Sequence, residues 1–118
     1  MKPLTGIRIL DFTTLLPGPL ATLMLSDAGA EVIKIEKIGG EEMRKSEPKI
    51  CDDSILFAML NRGKKSIEVN LKKPVYREKI KKLIKKSDVI IEQFRPGVME
   101  KLGLGWKQVK KINKKIVY

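Results

Sequence analysis

Basic side chains recur at one kind of position in this chain, at or just past the carboxyl end of a short apolar run. Lys37 follows EVIKIE, Lys72 follows IEVNL, Arg95 lies a few residues past DVII, and Lys101 stands one short segment further on. If the runs are parallel strands of one sheet, those ends share an edge and the four cations converge on a cleft. Such a cluster suits a small molecule with several phosphate groups, held by charge-assisted hydrogen bonds. Exposed strand ends also attract lysine for plain solvation, so position alone leaves both readings open. The remaining inventory narrows the chemistry. The chain has no histidine, which removes Ser-His-Asp triads, Cys-His pairs and most zinc sites. Asp11, Asp27, Asp88 and Glu92 are the carboxylates nearest the strand ends. Asp11 falls inside an apolar run, where an ionised group needs a partner, and a structural hydrogen bond or ion pair is its expected role. Arg62 and Lys64, in the NRGKK turn, are expected to be solvent charges. Ser66 and Cys51 have no recognisable base beside them, so no nucleophile is identified.

The elements that must position these groups alternate in type. Leu4 to Lys37 predicts a βαβ unit: a strand over Ile7–Phe12, a helix opened by Pro17-Gly18-Pro19 and ended near Gly29, and a strand over Glu31–Glu36. The right-handed crossover makes the two strands parallel. The polar stretch from Lys37 to Asp53, with Gly39-Gly40, reads as a loop, and its charge also suits a flexible lid. Asp52, Asp53 and Ser54 can cap a short helix through Leu60 that Gly63 closes. Lys65–Leu71 predicts a third strand, Pro74 to about Lys86 an amphipathic helix with lysines on its solvated face, and Asp88–Ile91 a fourth strand. Helical turns over Val98–Leu102 and Trp106–Lys111 follow, then a fifth strand over Ile116–Tyr118. Ending on a strand without a flank is expected of an incomplete domain. The class is α/β with a mainly parallel sheet.

Two nucleotide-binding patterns are absent. The turn after the first strand is TTLLPGP, whose prolines offer no backbone N–H to a pyrophosphate, and Gly63-Lys64 lacks the upstream glycine of a P-loop. With 118 residues, 42% hydrophobic and 33% charged, the chain suits one globular domain. It has no membrane-length apolar run and no signal-peptide layout. A single cysteine points to a reducing cytoplasm. The net charge of +11 raises the question of nucleic acid. Against it, the lysines come as helix faces and the six aromatics do not interleave with them.

Taken together, PLTGIRILDFTTLLPGPLATLMLSDAGAEVIKIE, LNRGKKSIEVNLKKP, SDVIIEQFRPGVMEKLGLGW and INKKIVY resemble the N-terminal part of the family III CoA-transferases, from Pro3 to Tyr118. Formyl-CoA transferase, carnitine CoA-transferase and α-methylacyl-CoA racemase belong to that family, and the FRPGVMEKLGLG wording leans to the racemase-like branch. The resemblance implies a Rossmann-like large domain, of which residues 1–118 would be the N-terminal part. It implies coenzyme A or an acyl-CoA as substrate, no metal, and an interlocked homodimer for complete members. By resemblance, Leu16 and Pro17 lie against the coenzyme, Lys37 replaces an arginine that meets a phosphate, and Val69, Asn70, Leu71 and Lys72 hold the adenosine part. Gln93, Phe94 and Arg95 line the same cleft, and Lys101 supplies another phosphate contact. Lysine at 37 lacks the bidentate fork of arginine, and Lys73 stands where members often carry a helix-capping acid. The family's acyl-accepting aspartate, or the racemase His and Asp pair, lies past Tyr118, so no residue here is assigned the chemical step. A non-enzymatic or vestigial CoA-binding protein and a basic nucleic-acid-binding module are the alternatives.

Overall fold

The computed structural model describes residues 1–118. Its elements run β1 (Arg8–Asp11), α1 (Pro17–Asp27), β2 (Glu31–Glu36), a 3₁₀ turn (Glu42–Lys45), β3 (Lys49–Ile50), β4 (Asp53–Ser54), α2 (Ile55–Asn61), β5 (Lys65–Glu68), α3 (Pro74–Ile84), β6 (Val89–Ile91), α4 (Val98–Lys101) and α5 (Trp106–Ile112). Four strands form one sheet in the order β5-β2-β1-β6, and every pair is parallel. The chain winds outward from β1 in one direction through β2 and β5, then crosses to the other side of β1. That reversal opens a crevice at the carboxyl ends of the strands, where loops on the two sides diverge.

Side chains alternate between the two faces of the sheet. One face sends Leu10, Phe12, Ile33, Ile35 and Ile90 into the main core with Ile80, Ile84, Leu104 and Val109, beneath α3 and α5. Each fully buried aliphatic side chain contributes roughly 1.5–3 kcal/mol. The other face carries Ile9 and Val32, packed with Ala30 and Leu25. Further along the same face it carries charge, with Asp11, Lys34 and Glu36 all buried. In α3 the periodic pattern holds: Ile80 and Ile84 are buried while Lys79 and Lys82 face solvent, as do Lys85 and Lys86 just past its end.

Several expectations need adjustment. The third strand stops at Glu68 rather than Leu71, although Val69 N–H still reaches Glu36 O at 2.9 Å. Asn70 then turns the chain, its side-chain oxygen accepting from Lys72 N–H at 3.1 Å. The fifth strand shrinks to one parallel bridge between Val89 and Val117. The stretch after Lys37 is not a bare loop, since it contains the 3₁₀ turn and the β3–β4 hairpin. Ser54 caps α2, accepting from Phe57 N–H at 2.9 Å. Lys73 precedes α3 without any side-chain cap. No helix is long and apolar enough to cross a membrane.

Candidate functional site

A cleft of about 720 Å³ opens at the carboxyl edge of the sheet. Phe12, Thr14 and Leu15 enter it after β1, Lys37 and Ile38 after β2, and Val69 to Lys72 after β5. Phe94 enters after β6, Val98 comes from α4 and Leu102 from the residue that ends it, and Glu36, Glu41 and Glu42 complete a polar flank. Nine of the 16 lining residues are hydrophobic.

Buried charges set the shape of these walls. Asp11 accepts from Thr13 N–H at 2.8 Å and from the Thr13 and Thr22 hydroxyls at 2.5 Å each. Lys64 meets the same carboxylate at 3.4 Å and also donates to Thr22 Oγ1 at 2.7 Å, Asn61 Oδ1 at 2.9 Å and Pro19 O at 3.0 Å. Lys64 is therefore not a solvent charge: its side chain is 1% exposed. Burial pushes its ammonium below the usual lysine range, against the pull of Asp11. Arg62 does sit at the surface, paired with Asp27 at 2.7 Å. Asp11 has both hydrogen-bond and cationic partners, as its place inside a strand requires.

Lys34, midway along β2, is equally buried. It donates to Thr13 O at 2.9 Å and pairs with Glu41 at 2.9 Å. Thr13 is thus held on both sides, and the loop after it is aimed into the cleft. Gly18 closes over that loop so tightly that an added Cβ would lie 2.2 Å from Thr13 Cβ. Leu15 takes a left-handed conformation, φ 65°, at the turn.

Glu36 anchors the opposite wall. Arg44 donates to both of its oxygens, at 2.9 and 2.7 Å, while Ser66 Oγ and Glu41 N–H add bonds of 2.6 and 2.9 Å. Burial by itself would raise this carboxyl, but those donors override it and hold it at about 2. The Arg44 guanidinium also lies 3.9 Å from the Phe57 ring centroid and reaches Asp53 at 2.9 Å. The charged stretch is consequently tied to the sheet at Glu41 and Arg44.

Of the residues singled out by sequence, Lys37, Val69, Asn70, Leu71, Lys72 and Phe94 line the cleft together. Leu16 and Pro17 follow the lining residue Leu15 at the start of α1, with Leu16 exposed. Gln93 is exposed and outside the lining, its amide donating to Thr14 O at 2.9 Å and Thr14 Oγ1 at 3.1 Å. Arg95 and Lys101 are exposed and stand outside the lining, each one position from a residue within it. The geometry of α4 explains Lys101: Val98 and Leu102 share the cleft face, which turns the intervening position outward. Lys37 is paired with Glu42, whereas Lys72 has no carboxylate partner. Lys34, Glu36, Glu41 and Arg44 are not singled out by sequence, and Lys64 is singled out only as a solvent charge. The available signal, a charge inside an apolar strand, marks Asp11 and holds equally for Lys34.

The sequence profile described as CoA-transferase family III matches residues 4–118. The chain belongs to that family. It is 45% identical over 120 residues to the succinyl-CoA:glutarate CoA-transferase of Mus musculus, covering all of this chain and 28% of that protein. It is 42% identical over 117 residues to the acetyl-CoA:oxalate CoA-transferase of Acetobacter aceti, covering 98% of this chain and 30% of that one. Among solved structures, a CAIB/BAIF family protein from Brucella suis superposes with a TM-score of 0.94 at 33% identity, covering 99% of this chain and 32% of its own. This family III chain thus spans about 30% of the length of the curated relatives it matches.

Proposed function

We propose that this chain forms the coenzyme A-binding wall of a family III CoA-transferase, with the phosphorylated end of the thioester between Lys37 and Lys72. The observation that carries the reading is the meeting, in one cleft, of two strand-end lysines and an apolar floor built from Phe12, Val69, Leu71 and Phe94. Coenzyme A has the matching division, with anionic phosphates at one end and a long, weakly polar arm. The cleft volume lies within the range of small-molecule sites. Gln93 contributes by fixing the Thr14 loop, and Arg95 and Lys101 add positive potential at the rim.

The relatives' names favour transfer between carboxylic acids over epimerisation at an acyl α-carbon. In this reading the chain's residues bind and orient the thioester, and the acyl-accepting group belongs to a part of the family's length that the chain does not span. Asp11 is unsuited to that role because it is 0% exposed and fully engaged by Thr13, Thr22 and Lys64. A homodimer is the proposed working assembly.

Isothermal titration of the purified chain with coenzyme A tests the reading. Lys72→Ala is expected to weaken binding about three- to ten-fold, the effect of one partly screened charge contact, and Arg95→Ala, at the rim, by a smaller factor. Unchanged affinity in both variants would sink the cleft assignment. Binding to duplex DNA with a steep salt dependence would favour a nucleic-acid role instead.

A further inference from the structure

The two lysines of the cleft differ in one respect. Lys72 makes no ion pair, while the Lys37 ammonium is already bound by the Glu42 carboxylate. Both members of that pair line the cleft, and both are more than half exposed. We infer that Glu42 is a built-in competitor for Lys37, occupying this cation until a phosphate group displaces it. The inference rests on the coenzyme A reading of the cleft and adds the group that sets its affinity and its selectivity for phosphorylated ligands.

Three features support it. First, the pair is not needed to fold the segment. Glu41 N–H is bonded to Glu36 at 2.9 Å, the Glu41 carboxylate is paired with Lys34 at 2.9 Å, and Arg44 is fixed by Glu36 and Asp53. The backbone on both sides of Glu42 is held without it, so a change of side-chain rotamer is enough to release Lys37. Second, the released carboxylate keeps a partner, since Lys45 Nζ already lies 3.9 Å from its other oxygen. Third, the carboxyl is ionised at neutral pH, the Lys37 hydrogen bond and charge holding it below its ordinary range with help from Lys45. A phosphate approaching Lys37 therefore meets a like charge on the same ammonium. It must move that charge aside. A ligand without phosphate has no such contest.

The test is Glu42→Gln, titrated with coenzyme A and with phosphate-free pantetheine at low ionic strength. Removing an exposed competitor should tighten coenzyme A about two- to five-fold, leave pantetheine unchanged, and lose its effect as salt is raised. In a Lys37→Met background the Glu42→Gln gain should disappear. If Lys37→Met weakens coenzyme A while Glu42→Gln leaves it unchanged or weaker, the competitor role is wrong and the coenzyme A reading stands. Equal tightening of pantetheine also overturns the inference, because the gain then owes nothing to phosphate. If coenzyme A binds to none of these proteins, the reading of the cleft fails and the inference fails with it.

Discussion

Glu36→Gln removes one charge from the cleft wall and almost no volume. Glu36 is 3% exposed, and its carboxyl is held at about 2 against an ordinary 4.5 because four hydrogen bonds from Arg44, Ser66 and the Glu41 backbone outweigh burial. The folded-state value lies below the unfolded one, so the unfolded chain binds the proton more readily between them. The resulting stabilisation is complete above the ordinary carboxyl range and is lost as pH falls from about 4.5 toward 2. By linkage it amounts to about 3 kcal/mol at neutral pH. Glutamine can still accept from Arg44, and Arg44 keeps Asp53, so the expected loss is about 2–3 kcal/mol. Urea denaturation followed by far-ultraviolet circular dichroism, repeated from neutral to acid pH, measures it. The wild type should lose the increment on acidification, the variant should lack it throughout, and the two stability curves should converge near the acid end. Amides of residues 41–45 should also exchange faster in the variant, because their anchor is weakened. Curves that stay parallel down to about pH 3 would refute the claim that Glu36 is a strongly stabilised anion.

Lys64→Met should cost about 3–5 kcal/mol in the same denaturation assay, because it strands Asp11 as an unpaired buried charge. Asp11→Asn combined with Lys64→Met should recover much of that loss, whereas a single-variant loss below about 1 kcal/mol would mean that Asp11 does not depend on Lys64. Gly18→Ala should destabilise by about 1–3 kcal/mol in thermal or urea melts, since its methyl would fall 2.2 Å from Thr13 Cβ.

The order of strands and helices was legible because parallel strands covered on both faces appear as short, continuous apolar runs. RILD, EVIKIE and DVII stand out against their polar flanks, and proline and glycine mark α1 and α3 at their starts or ends. Half of the cleft could be placed for the same reason: once the strands are parallel, whatever follows them shares one edge. The fate of Lys64 was not legible. NRGKK has the composition of a solvated turn, and the acid that draws Lys64 inward lies 53 residues earlier. Lys34 and Glu36 sit in a strand whose three apolar residues, Val32, Ile33 and Ile35, conceal them, and their partners Glu41 and Arg44 lie in a segment that composition alone marks as loop. The β3–β4 hairpin escaped notice because Lys49 and Ile50 are exposed and show no inward face.

These buried charges share a location, and the location explains their presence. Along the α1 side of the sheet the two-residue period runs from Ile9 to Asp11 and from Val32 through Lys34 to Glu36, so the face changes from apolar to ionic toward the cleft. Well-packed apolar groups could cover that end of the sheet at equal or better stability; the ion pairs instead tie loops to it at defined points. The ion pairs join the sheet to two connections: Asp11 to the turn before β5, and Lys34 and Glu36 to the segment after β2 through Glu41 and Arg44. Two of the pairs also meet at Thr13, since Asp11 accepts from its N–H and Lys34 donates to its carbonyl. Loosening either pair should therefore release the same loop. Asp11→Asn and Lys34→Met, combined, should cost less than the sum of the two single variants, by about 0.5–3 kcal/mol. Strict additivity in that double-mutant cycle would mean that the two pairs act as separate struts and that the wall of the cleft is not held at Thr13.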